Sequence, residues 1–175
     1  ALSPNISHEV ALLFSTAMLA AMFHLVNHSL FKGTLFMVVG ILDHELGTRD
    51  IRKIGGLMSF MPISCTLMVI GSFSMAGLPP FSGFLSKEMF FASTLTAAQH
   101  IDWSVVWVPV LAWVASLFTF VYSMVLVFQT FGGEYRPTML DKSPHEAPVG
   151  MLISPIILAS LVIGLFFAPN VLASG

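Results

Sequence analysis

His24-Leu-Val-Asn-His-Ser-Leu-Phe-Lys32 is the stretch on which the fold turns: two histidines and a lysine in an apolar run with no other formal charge from Val10 to Leu42. At 100° per residue, positions 24, 28 and 32 are successive i, i+4 neighbours on one helix face, about 6 Å apart along the axis. A lysine in hydrocarbon costs roughly 2.5–3.5 kcal/mol on insertion scales, so such a residue usually faces protein or water and marks an ion or proton path. The run reads as a membrane span that carries a proton relay.

The rest of the chain agrees with that class. It has 175 residues, 56% apolar and 9% charged, with mean hydropathy +0.88. A soluble domain carries about 25% charged residues, so these charges are too sparse for a water-facing surface. The expected fold is an all-α polytopic membrane protein, with residues 1–175 a single membrane-domain fragment in the bilayer. Nucleic-acid binding has no support, because there is no basic patch or basic helix. Cys65 is the one cysteine and lies in an apolar run, which excludes a disulfide framework and a thiolate metal cluster. The opening Ala1-Leu-Ser-Pro4 has no initiator Met, basic n-region or cleavage site, and reads as a start inside a loop of something longer.

Four spans are expected, at about 10–42, 57–98, 105–130 and 149–168. The first holds 33 residues, about 50 Å as a helix, against a core about 30 Å thick, so it must tilt, bend or protrude, with Gly33 a candidate weak point. The second is interrupted by Gly77-Leu-Pro-Pro-Phe-Ser-Gly83. Pro79 and Pro80 each lack an N–H donor, and Gly77 and Gly83 loosen the backbone on either side. Two half-helices follow from this, Leu57–Met75 and Gly83–Ala98.

Lys and Arg placement sets the orientation. Arg49, Arg52 and Lys53 fall in the connection 43–56, and Arg136 and Lys142 in 132–148, whereas the start, the connection 99–104 and the end carry none. By the positive-inside rule the two basic loops are cytoplasmic and both termini lie outside the cell's inner (plasma) membrane. Trp103 and Trp107 then belong to the outer aromatic belt, and Tyr135 to the inner surface. Lys32 lies ten residues from Leu42 and Lys87 eleven from Ala98, each about 15 Å deep and close to the midplane.

The chemistry-bearing candidates are Lys32, His28, His24 and Lys87. Desolvation favours the neutral form of a lysine, which can then lose and regain a proton, and histidine passes protons between its two ring nitrogens. Asn27 and Ser29 could hold bridging water. The plainer alternative is a polar clamp between helices, with the lysine snorkelling, but the estimated depth exceeds snorkelling reach. His24 and His28 also have the spacing of a metal pair, yet no glutamate stands between them and no third ligand is evident, so no metal and no cofactor are expected. Lys87 follows the break, where unwound backbone is tolerated only against protein or a watery cavity. Glu88 and Asp43 are accessory candidates. Asp43, His44 and Glu45, with Arg49 close by, read as a solvated loop rather than a proton entry. His145 and Glu146 read as helix-entry chemistry, and His8, Glu9 and His100 as outer-surface residues.

Three motifs carry a resemblance. His24-x-x-Asn-His-x-x-x-Lys32, Ala76-Gly-Leu-Pro-Pro-Phe-Ser-Gly-Phe-Leu-Ser-Lys-Glu88 and His145-Glu-Ala-Pro148 resemble the proton-translocating antiporter-like subunits shared by Mrp sodium/proton antiporters and respiratory complex I. The loop from Leu42 to Gly56 looks closest to the A-type subunits of Mrp antiporters. The resemblance implies inverted helical repeats, each with a broken helix, joined by a hydrated chain of Lys, His and Glu. It puts Lys32 at the central relay, His24 and His28 beside it, and Lys87 at the terminal site of the broken helix. It also implies that the first repeat and part of the second are absent from this chain. The partners implied are the remainder of the same subunit, other membrane subunits, protons and Na+. Proton pumping in a complex I-type oxidoreductase and a non-transporting membrane scaffold are the alternatives. Nothing in the chain binds quinone, flavin or iron–sulfur, so any redox part would lie elsewhere.

Overall fold

The computed structural model describes the backbone of residues 4–100 and 106–169 and the side chains of residues 11–98 and 106–169. Among these residues there are five α-helices: α1 Pro4–Leu46, α2 Pro62–Ala76, α3 Ser82–His100, α4 Trp107–Phe131 and α5 Val149–Phe167. Three stretches are long and apolar enough to cross a membrane alone, Ala11–Leu46, Trp107–Phe131 and Val149–Phe167. With 15 residues, α2 is about 22 Å long and too short by itself.

The contacts put α2 and α3 in series along α1. His24 meets Ser86, Asn27 meets Ser82, and the α1 backbone and side chains at Phe31 and Leu35 meet Gly71. Ascending α1 thus descends α3 and then α2, as a broken span antiparallel to α1 requires. On α4, Tyr122 donates its hydroxyl hydrogen to Met75 Sδ at 3.3 Å, while Ala112, Ala115 and Ser116 lie beside Lys87, so α4 runs against the broken pair. On α5, Gly150 and Met151 sit near Ile41, and Leu158 sits at Gly33. The four passes alternate in direction.

The core follows helical periodicity. Phe31, Leu35, Val38, Leu42 and Leu46 form one stripe of α1 at i, i+3/i+4 spacing, and this stripe is buried. Leu57, Met61, Cys65 and Met68 join it from α2 and the turn before it, with Val127 and Phe131 from α4 and Leu152, Ala159 and Val162 from α5. Leu46, Leu57, Met61 and Phe131 bring this core to the basic-loop end. That end is tied by Gly56 N–H to Gly132 O at 2.7 Å, Arg136 Nη1 to Arg52 O at 2.7 Å and Lys142 Nζ to His44 O at 2.9 Å.

Several expected boundaries move. The first helix spans 43 residues, about 64 Å, and continues unbroken through Gly33. Gly33 is a contact point, because a Cβ there would come within 3.0 Å of Leu158 Cδ1. The helix before the break starts at Pro62 and not at Leu57: residues Leu57–Ser59 form a separate 3-10 turn, and Pro62 takes the first helical turn, where its missing N–H is harmless. After the break the helix begins at Ser82 and runs through His100, past the expected end at Ala98. The third span starts two residues and ends one residue later than expected, and the fourth starts at Val149 as expected and ends one residue earlier. The side chains of His8, Glu9, His100 and Trp103, most of the connection 99–104 and the outermost residues of both termini lie outside the described residues.

Candidate functional site

The site is built around the interruption between α2 and α3. Gly77 closes α2 at φ 80°, a left-handed conformation that favours glycine, and its N–H reaches Phe73 O and Ser74 O. The chain turns through Leu78, Pro79, Pro80 and Phe81, and α3 begins. Gly83 is needed for close approach: a Cβ there would overlap the Ser74 carbonyl, and its N–H donates to Ser74 Oγ at 3.3 Å. The two helix ends therefore lie against each other.

Lys87 folds back onto that junction. Its Nζ donates to Ala76 O at 2.8 Å, at the C-terminal end of α2. The partial negative charge of unpaired carbonyls at a helix C-terminus attracts an ammonium group. Ala76 follows Met75, whose sulfur accepts from Tyr122, and Lys32 Nζ stands 5.9 Å from the centre of the Tyr122 ring. That separation is within cation–π range. Lys32 and Lys87 thus approach the end of α2 from different helices. Lys32 is half-buried.

His24 and His28 sit one turn apart with ring centroids 6.1 Å from each other. Both line an open groove of about 590 Å³ between α1 and α3, together with Phe90 and Ser93. On its other side His24 shares a cavity of about 240 Å³ with Lys87, Phe90, Phe91 and Ser116. Several waters fit such a volume. Lys32 lines neither space. Asn27 is fully buried and donates from Nδ2 to Ser82 O at 3.4 Å, while its Oδ1 has no partner among the described residues. The geometry brings His24, His28, Asn27 and Lys87 into one neighbourhood, with Lys32 one turn further along α1.

The remaining candidates lie apart. Glu88 is exposed and points away from its neighbour Lys87, as adjacent helical residues do. Asp43 is paired with Arg49 at 2.7 Å. The expected solvated loop at 43–45 is instead the last turn of α1, and Glu45 is 4% exposed, held between His44 Nδ1 at 3.0 Å and His145 Nε2 at 3.1 Å. The loop around His145 covers it, from a distant part of the sequence. Glu146 caps α2: its carboxylate accepts from the N–H groups of Ile63 at 2.7 Å and Ser64 at 3.3 Å, and from Ser64 Oγ at 2.5 Å. Helix entry is indeed its chemistry, but for a helix whose Ser64 lies 82 residues earlier.

Ser86 and Tyr122 were not singled out by sequence reasoning. Ser86 is 1% exposed, and its Oγ lies 2.6 Å from His24 Nδ1. Its position directly before Lys87 was a signal that could have found it. The signal at Tyr122 was weaker, a lone tyrosine in an otherwise apolar span.

A polytopic helical bundle with a discontinuous helix and basic side chains beside the break defines a multi-pass membrane protein with one broken crossing. Residues 8–119 match the transmembrane family described as NADH:quinone oxidoreductase/Mrp antiporter, and the chain belongs to that family. It is 59% identical over 166 residues to the A-type subunit of the Na(+)/H(+) antiporter of Bacillus subtilis, covering 91% of this chain and 20% of that protein. Against the corresponding A-type antiporter protein of Alkalihalophilus pseudofirmus it is 56% identical over 164 residues, covering 91% and 20%. The chain thus spans about one fifth of the length of these curated relatives. Among solved structures, the Mrp complex from Dietzia superposes with TM-score 0.75 at 20% identity, over 88% of this chain and 35% of that one, a likeness of fold. An archaeal membrane-bound sulfane sulfur reductase superposes with TM-score 0.72 at 28% identity, over 85% and 23%.

Proposed function

We propose that this chain supplies part of the proton path of a multisubunit monovalent cation/proton antiporter, with Na+ the cation named for its relatives. It is a transporter component and not a redox enzyme. Lys32 is the central relay, His24 and His28 are shuttles, and Lys87 is the terminal site toward the outside. Asn27 holds water or backbone beside them, with Glu88 and Asp43 accessory. The observation that carries this reading is the cavity shared by His24 and Lys87 beside the half-helix that follows the break.

The path works by exchange between neutral and charged forms. A neutral Lys87 takes a proton through water from His24, and the ammonium is attracted to Ala76 O until a neighbouring charge changes and releases the proton outward. The two basic loops lie at one end of the bundle, which supports a cytoplasmic placement for that end and an outside placement for both termini. The rest of the same polypeptide, together with further membrane subunits, completes the path. The identity of 59% to an antiporter protein favours exchange over the complex I-type alternative within the same family.

The test is transport in everted vesicles that carry the full antiporter. Lys87→Ala and Lys32→Arg should each lower proton-coupled exchange about tenfold or more, with normal assembly. Arginine keeps its proton and cannot relay it. Full exchange by the Lys32→Arg protein would mean that a fixed positive charge suffices, and the relay would be wrong.

A further inference from the structure

Four serines in these helices bond the carbonyl one turn back. Ser29, Ser93, Ser123 and Ser160 each donate to the carbonyl four residues earlier, at 2.6–2.9 Å. Ser86 departs from this. The carbonyl four residues before it is Ser82 O, and Asn27 Nδ2 on α1 reaches that oxygen instead. The Ser86 hydroxyl turns to His24 Nδ1 at 2.6 Å, its one partner among the described residues. At 1% exposure it has no access to bulk water.

From this arrangement we infer that Ser86 is a positioning residue that sets the tautomer of His24, with Asn27 freeing it for the task. The large majority of buried hydroxyls place their single hydrogen on an acceptor. With Ser82 O engaged by Asn27, that acceptor is Nδ1 of the neutral imidazole, so the ring proton resides on Nε2. When His24 gains a proton, Nδ1–H donates to the serine oxygen and the serine hydrogen loses its acceptor. The seat therefore fixes the neutral tautomer and favours release of the proton. Nε2 becomes the nitrogen that exchanges protons with the spaces His24 lines, the groove beside His28 and the cavity beside Lys87. This inference deepens the relay reading and rests on it for its transport consequence, but the tautomer itself does not.

Two measurements test it on the full-length protein in its assembled complex. With ¹⁵N-histidine labelling, the His24 signal is identified by its loss in His24→Ala, and solid-state NMR reads its neutral form. The expected result is one tautomer, Nε2–H, in the unmodified protein and in Ser86→Thr, and a mixture in Ser86→Ala. An Nδ1–H ring in the unmodified protein, or a Ser86→Ala spectrum unchanged, would overturn the assignment. In transport, Ser86→Ala should lower the rate about two- to tenfold, the effect of losing one neutral hydrogen bond, and Ser86→Thr should restore it. In a His24→Ala background Ser86→Ala should cost nothing further. An equal cost in both backgrounds would mean that Ser86 only packs helices, and the positioning role would fall. Should His24→Ala alone transport at full rate while the tautomer is as stated, the relay reading fails and the assignment of Ser86 stands.

Discussion

Gly77→Ala perturbs the seat of Lys87 without removing any group that could carry a proton. The residue closes α2 at φ 80°, ψ 37°. An L-residue in the left-handed region costs roughly 1–2 kcal/mol relative to its preferred conformations. The new Cβ would also stand 2.6 Å from Lys87 Cδ, 3.1 Å from Cε and 3.2 Å from Nζ. These atoms belong to a flexible side chain, so the lysine moves and the backbone stays. In moving it gives up the 2.8 Å bond to Ala76 O. A hydrogen bond from a charged group is worth about 1.5–3 kcal/mol net, but water in the neighbouring cavity of about 240 Å³ replaces most of it. The stability loss should thus stay near the backbone cost of about 1–2 kcal/mol, while exchange falls about tenfold because the ammonium no longer sits at the end of α2. Thermal denaturation of the purified complex and exchange in everted vesicles measure the two separately. In a Lys87→Ala background the same substitution should show the stability cost and no further loss of exchange. Wild-type exchange by Gly77→Ala protein would refute the reasoning, since the seat on Ala76 O would then be dispensable.

Glu146→Ala should uncap α2 and destabilise its first turn by about 1–2 kcal/mol, read as faster hydrogen exchange at Ile63 and Ser64, whose N–H groups the carboxylate now accepts. Unchanged protection at both amides would remove Glu146 as the cap. Single cysteines at Thr48 and Thr138 should react only with reagent added from the cytoplasmic side, because both lie in the basic connections that meet at one end of the bundle. Labelling of Thr48 from outside would invert the orientation and exchange entry with exit.

Run lengths of apolar residues determined by themselves that this chain crosses a membrane, because hydrocarbon leaves a helix as the only single-segment solution for its backbone. Gly77, Pro79, Pro80 and Gly83 determined that the second crossing breaks, since two missing donors cannot sustain a helical ladder. The i, i+4 spacing determined that His24 and His28 share a face. The tertiary structure decided which partner each of these faces meets. Helical periodicity supplies an azimuth but no register against a neighbour, so nothing local in Ser86 reveals that it stands opposite His24, 62 residues away. The same holds for Glu45, which reads as a loop carboxylate from its neighbours Asp43 and Arg49 and is buried by a histidine from a distant loop. Lys87 could be placed near the break by counting. Its direction could not, because a flexible four-carbon side chain goes where the nearest unpaired carbonyls lie, and the antiparallel stacking of α2 and α3 on α1 puts those at Ala76.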